Sequence, residues 1–229
     1  MTDTLQTLVD SILGLLFPDR CASCGRVGSL FCAECQAELR PYPAGSPTVT
    51  HPYDRSTFLD AAAVVFVFEG PLRDAVHCFK YKRIRRMARP LSNLLHAYLA
   101  LHPLPADAII PVPLHHHRLK QRGFNQTEVL AQHLSPACGL PVLARGLERS
   151  RHTEHQARLA AQERLSNVRG AFVWQQSTPP PARVLLLDDV LTTGATLGAC
   201  AQALRAAGTH EVRALALASS RPELFDNSM

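Results

Sequence analysis

The sequence predicts an α/β fold, an open and mostly parallel sheet flanked by helices, preceded by a small N-terminal four-cysteine module. Three observations predict it. Short apolar runs alternate with amphipathic stretches between residues 61 and 218, as strand–helix–strand units do. Val184-Leu185-Leu186-Leu187 is apolar throughout, which suits a strand buried on both faces of a parallel sheet. Cys21-x-x-Cys24 and Cys32-x-x-Cys35 stand near the N-terminus with seven residues between them. The expected organisation is a helix and cysteine module over 1–40, a linker over 41–58, and the α/β domain over 59–229.

Composition bounds the class of protein. An apolar share of 46% and a charged share of 19% fit a globular chain. The net charge of +5 permits a polyanionic partner without demanding one. Residues 5–17 carry Leu5, Leu8, Val9, Ile12, Leu13, Leu15, Leu16 and Phe17, interrupted by Asp10. The run is too short for a membrane span and lacks a small-residue cleavage site, so it reads as a helix docking on the domain behind it. A cytoplasmic protein without membrane insertion is expected.

The cysteines point the same way. Each Cys-x-x-Cys brings two thiolates to one turn, and two such turns complete a tetrahedral zinc shell with no open position for catalysis. Gly25, directly after the first pair, suits the left-handed backbone of such a knuckle. A redox role is the rival reading, but it needs only one pair in a βαβ setting. Cys78, Cys138 and Cys200 are scattered in apolar contexts and read as ordinary thiols. Pro41, Pro43, Pro47 and Pro52 among Gly, Ser and Thr mark the linker.

Along the domain, Ala61–Phe68 reads as a strand, and Pro71 opens a short helix running to Phe79. The stretch 79–89 holds six basic residues, two aromatics and no acid. Lys80, Tyr81, Lys82, Arg83 and Arg85 in it are candidates for contact with single-stranded DNA, the alternative being a solvated turn. Met87, Leu91, Leu94, Leu95 and Tyr98 give the next helix its core face. Asp107–Pro113 is a short buried strand, and the basic stretch after it lies at the carboxyl edge of the sheet, where open α/β folds bind ligands. Arg118, Lys120 and Arg122 there are candidates for a pyrophosphate. The consecutive His115, His116 and His117 share no face in helix or strand, so a three-histidine metal site is not expected. A helix from Asn125 to near Gly139 turns Thr127, Leu130, Ala131 and Leu134 inward. Residues 145–169 are long, charged and poor in apolar residues, the character of a loop closing over a site. Strands follow at 170–174 and 212–218.

The organising stretch is Val184–Thr196. After the buried strand come Asp188 and Asp189, then Thr192-Thr193-Gly194-Ala195-Thr196, then an amphipathic helix with Leu197, Cys200, Ala201 and Leu204 on one face. Backbone N–H groups at a helix start grip a phosphate, and carboxylates at a strand end accept ribose hydroxyls. Both carboxylates are expected in one polar mouth. No lysine follows the glycine, so this is not a P-loop.

This string resembles the phosphoribosyl-pyrophosphate (PRPP) motif of type I phosphoribosyltransferases. With Phe17-Pro18, Phe79-Lys80-Tyr81, Ile110-Pro111-Val112-Pro113, Arg122-Gly123-Phe124-Asn125-Gln126, Thr153-x-x-Gln156-x-x-Leu159 and Arg164-x-x-Asn167, nearly the whole chain resembles the ComF family. The resemblance implies a zinc finger followed by a type I phosphoribosyltransferase-like domain, serving natural competence, DNA uptake and DNA utilisation. Its implied site has Asp188 and Asp189 on the ribose hydroxyls, aided by Mg²⁺, and Thr192, Thr193, Gly194, Ala195 and Thr196 on the 5′-phosphate. Arg118, Arg122, Gln126, Arg151 and Gln156 would face pyrophosphate from the two flanking segments, and Cys21, Cys24, Cys32 and Cys35 would hold Zn²⁺. Implied partners are PRPP or a nucleotide-like ligand, single-stranded DNA, and proteins of the DNA-uptake machinery. Two functions stay open, a transferase acting on PRPP and a non-catalytic accessory module binding single-stranded DNA or nucleotide.

Overall fold

The computed structural model describes residues 18–43, 58–149 and 170–220. The docking helix expected over 5–17, most of the linker, and the closing segment with Arg151 and Gln156 lie outside them. Four parallel strands form the sheet in the order β1 (Ala61–Val67), β6 (Glu211–Ser219), β5 (Arg183–Leu191), β2 (Ala108–Pro111). The expected fold class is the one observed. Leu185, Leu186 and Leu187 are wholly buried in the sheet's middle, each worth about 1.5–3 kcal/mol of transfer free energy.

Both faces are covered. On one, α2 (Gly70–Tyr81), α3 (Ala88–Leu101) and α5 (Gln126–Cys138) lay Leu72, Val76, Phe79, Leu91, Leu95, Leu130 and Leu134 over Leu185, Leu187 and Leu215. On the other, α6 (Ala195–Ala206) and an antiparallel ribbon of β3 (Leu147–Arg149) and β4 (Phe172–Trp174) cover Val184, Leu186 and Ala214. Gly146 permits the ribbon's close packing, because a Cβ there would sit 2.2 Å from the Trp174 ring.

The cysteine module is built onto the domain. Its helix α1 (Ala33–Ala37) starts at Cys32, and Cys21, Phe31, Cys32 and Cys35 are buried in the same cluster as Leu72 and Phe79. Ser23 Oγ donates to Asp74 Oδ2 on α2 at 3.0 Å. Where a linker is expected to begin, the backbone instead pairs with β1. Tyr42 N–H donates to Val65 O at 2.9 Å, and Val67 N–H donates to Arg40 O at 3.0 Å. That pairing covers the sheet edge that β1 would otherwise expose.

The basic stretch after β2 also differs from the expected loop. It contains a short helix, α4 (His116–Arg122), whose first turn is capped by His115 Nδ1 accepting from His117 N–H at 3.3 Å. Gly123 ends it at φ 81, a left-handed value open to glycine.

Candidate functional site: the β5 edge and the cysteine knuckle

Two connections define the site. The chain leaving β5 turns to α6 on one face, while the chain leaving β2 turns to α5 on the other. β2 and β5 are neighbours in the sheet, so the crevice between their carboxyl ends is a topological switch point, where open α/β sheets bind ligands.

β5 does not stop before its acidic pair. It continues to Leu191 because β6 keeps pairing with it, Asp188 opposite Ala216, Val190 opposite Ala218 and Leu191 opposite Ser219. Successive side chains of a strand leave opposite faces, so the two carboxylates do not share one mouth as expected. Asp189 turns toward α2 and Asp188 toward α6. Lys80 Nζ, near the end of α2, donates to Asp189 Oδ1 at 2.7 Å, with only 15% and 11% of the two side chains exposed. Asp188 Oδ1 accepts the Asp189 N–H at 2.8 Å. Burial first, and the charge of Asp189 second, push the Asp188 carboxyl up to about 7, against the pull of Lys80. Cys200 on α6 feels the Asp188 charge, and burial above all drives its thiol well above the ordinary range.

The loop beyond has the expected form. Thr192 is exposed, Thr193 is buried, and Gly194 takes φ 73 as the residue before the twelve-residue α6. The first N–H groups of such a helix lack intrahelical acceptors and carry the positive end of its dipole. Ala195 is buried and Thr196 half-buried at this start.

Across the crevice, Arg118 on α4 is half-buried. Burial, then the neighbouring Arg122, lowers its pKa, while Tyr81 and Asp189 act in the opposite direction. Arg122 Nη1 donates to Gln126 Oε1 at 2.8 Å and its guanidinium lies 5.2 Å from the Tyr81 ring centre. Gln126 is buried, so it positions Arg122 and does not face solvent. The rest of that motif is a corner. Phe124 packs on Phe79, Asn125 caps α5 through Thr127 N–H, and both Asn125 Nδ2 and Thr127 Oγ1 donate to Val112 O at the end of β2.

Of the candidate DNA contacts, Tyr81, Lys82, Arg83 and Arg85 are exposed, with Tyr81 at 60%, whereas Lys80 faces the acidic pair. Arg149 is a residue that the sequence analysis did not single out. Burial, then the charge of Arg118, lowers its pKa, and the guanidinium lies 5.5 Å from the Phe172 ring centre. The ribbon's alternation marked it, since Arg149 shares the inward face of Leu147.

At the knuckle, the Sγ atoms of Cys21, Cys24, Cys32 and Cys35 all lie within 4.8 Å of one another, and Cys24 Sγ is 3.6 Å from Cys32 Sγ. A tetrahedral shell with Zn–S near 2.3 Å sets sulfurs about 3.8 Å apart. Gly25 has the left-handed φ of 75 expected for the turn. Against the upward push of burial, backbone N–H donors led by Cys32 hold the Cys21 thiol down at about 6. Burial and then the neighbouring sulfurs push Cys35 up to about 12. Four thiolates this close need a cation, and the cluster can hold a metal such as zinc. Mg²⁺ between the two carboxylates fits poorly. They diverge, one oxygen of Asp189 is taken by an ammonium, and one oxygen of Asp188 by an amide.

Fold and site together define an open parallel α/β protein with a crevice at its switch point and a four-cysteine cluster that can hold a metal. No protein-family model matches the chain. It is 35% identical over 199 residues to competence protein F of Haemophilus influenzae, covering 82% of this chain and 84% of that one. It is also 35% identical over 152 residues to the DNA utilization protein YhgH of Shigella flexneri, covering 64% and 66%. Competence protein ComFC of Bacillus subtilis is 24% identical over 61% of this chain and 56% of its own. The chain belongs to the ComF family. Among solved structures, the PRPP amidotransferase of B. subtilis with ADP and GMP overlaps 57% of this chain and 26% of its own, at TM-score 0.39 and 23% identity. Adenine phosphoribosyltransferase of Leishmania tarentolae overlaps 63% and 76%, at TM-score 0.38 and 14% identity. With overlaps this partial, the family assignment rests on the sequence relatives.

Proposed function

We propose that the protein binds a phosphorylated ribose, PRPP or a nucleotide-like ligand, at the Asp188–Thr196 edge, and that it does so in the uptake and use of DNA. The observation that carries the reading is the switch point between β2 and β5, where Gly194 opens a helix on the face of Asp188, with Asp189 on the other face of the same strand end. Carboxylates suit ribose hydroxyls, and a helix start with Thr193 and Thr196 beside it suits a phosphate. Arg118 and Arg122 supply charge where pyrophosphate would lie. The names of the relatives, competence protein F and DNA utilization protein, supply the biological setting. Zn²⁺ at the knuckle fits the four-sulfur donor set and has a structural role. Pyrophosphate release from PRPP across a panel of amines and bases tests turnover. Release with any acceptor makes the protein a transferase, and PRPP binding without release leaves a binding module.

A second reading is favoured by the exposed run of Tyr81, Lys82, Arg83 and Arg85. These residues suit a single-stranded backbone, and Tyr81 is exposed beside them with Arg122 and His77 against its ring. Fluorescence anisotropy with short single strands at several salt concentrations tests it. Affinity that is insensitive to sequence and falls with salt supports the reading, and no binding removes it.

A further inference from the structure

We propose that Lys80 is a built-in cation of the ribose-phosphate pocket, so that phosphate recognition at this edge does not require a divalent metal. The inference rests on the ribose-phosphate reading above and deepens it. Its foundation is the 2.7 Å contact of Lys80 Nζ with Asp189 Oδ1 at the end of β5. An ammonium has three donors and no acceptor. One donor goes to Asp189, and the other two have no partner among the described residues. Lys80 is fixed by Asp189 yet 15% exposed, so it can stay on the carboxylate while donating to an incoming phosphate oxygen.

Its place in α2 is consistent with a dedicated role. Leu72, Val76 and Lys80 follow one another at i+4 spacing, so Lys80 continues the buried stripe of the helix. Its basic neighbours Lys82, Arg83 and Arg85 are exposed. Lys80, Arg118 and Arg149 together outnumber the two carboxylates, and Arg122 adds to them beside Arg118. Among the described residues, basic side chains therefore exceed acidic ones at this edge, which favours an anionic ligand. The diverging carboxylates, each with one oxygen already engaged, point the same way.

The test is titration calorimetry of PRPP into the full chain, once in EDTA and once in excess Mg²⁺. The expected Kd values agree within about threefold, a fraction of the tenfold step that 1.4 kcal/mol represents. Lys80→Met is expected to weaken binding about tenfold or more in EDTA, the scale of one charged hydrogen bond, and to recover part of it in Mg²⁺. Lys80→Arg, which keeps the charge, should remain indifferent to the metal. Wild-type binding seen only with Mg²⁺ overturns the inference without any variant having to fold. So does a folded Lys80→Met that binds like the parent in EDTA. Absence of PRPP binding in both buffers overturns the ribose-phosphate reading itself, and this inference with it.

Discussion

At the cysteine knuckle, four sulfurs lie within 4.8 Å of one another, and Arg26, whose charge reaches Cys32 and Cys24, is itself paired with Glu34. At the end of β5, Asp189 meets Lys80 at 2.7 Å beside Asp188, and the charge of Asp189 also reaches Arg118. Both are crowded anionic clusters, and Coulomb repulsion forbids either to ionise fully without a counter-charge. The first could hold a metal ion through its four sulfurs, which would leave no open position for a ligand. The second has a cation of the chain, Lys80, on one of its carboxylates. The two clusters share negative charge but differ in what lies against it, neighbouring sulfurs in one and an ammonium in the other.

Breaking the knuckle should have the largest effect. Structural zinc contributes roughly 10–16 kcal/mol of apparent binding free energy in finger peptides, as large as the whole stability of a typical domain, about 5–15 kcal/mol. Cys32 and Phe31 sit in the cluster that holds α2 on the sheet. Cys32→Ser should therefore lower the melting temperature of the whole chain, and not of a detachable module alone. Metal analysis of protein purified under reducing conditions should give one Zn²⁺ per chain. A metal-free chain that melts like the metal-loaded one would sink the assignment.

Breaking the internal pair should come next. Lys80→Met leaves Asp189 buried without its partner, which costs about 3–5 kcal/mol in comparable buried pairs. Adding Asp189→Asn should recover part of that loss, and urea unfolding of the two single variants and the double variant measures it. Purely additive losses would show that the pair does not couple.

A smaller, pH-dependent effect belongs to Asp188. Its folded carboxyl lies at about 7, above the ordinary aspartate value near 3.9. Between those values the unfolded chain releases a proton that the folded chain keeps, so this group's contribution is intact below about pH 4 and lost as pH rises toward 7. Asp188→Asn should remove that decline. A difference between parent and variant that stays constant across the range would contradict the assignment.

The smallest effect concerns the exposed run. Replacing Lys82, Arg83 and Arg85 by Ala should leave stability within about 0.5 kcal/mol. If the run follows a single strand, log affinity against log salt should flatten by about 0.7 for each phosphate contact removed. An unchanged slope makes the run an ordinary solvated turn.

Sequence periodicity was enough for the buried part of β5, Val184–Leu187, and for the helix that follows Gly194, because a continuous apolar run and an amphipathic stripe each fit one kind of element. The Cys-x-x-Cys spacing likewise foretold the four-sulfur cluster. What escaped was set by pairing across the sheet. The extension of β5 through Asp188 and Asp189 depends on β6, which lies twenty or more residues on, and no local propensity favours two aspartates in a strand. Lys80 was read with its basic neighbours because charge runs are visible in one dimension and helix faces are not. The i+4 series Leu72, Val76, Lys80 held the correct signal. Arg149 lay in a charged stretch whose short strand only β4 reveals.

We propose a ribose-phosphate site at the edge formed by Asp188–Thr196. Its most direct test is PRPP affinity by calorimetry in the parent and in the Asp188→Asn, Asp189→Asn double variant, with melting temperature recorded for both. Loss of about 1.5–3 kcal/mol for each charged hydrogen bond removed is predicted, in a variant that remains folded. Equal affinity in the two proteins would contradict the account.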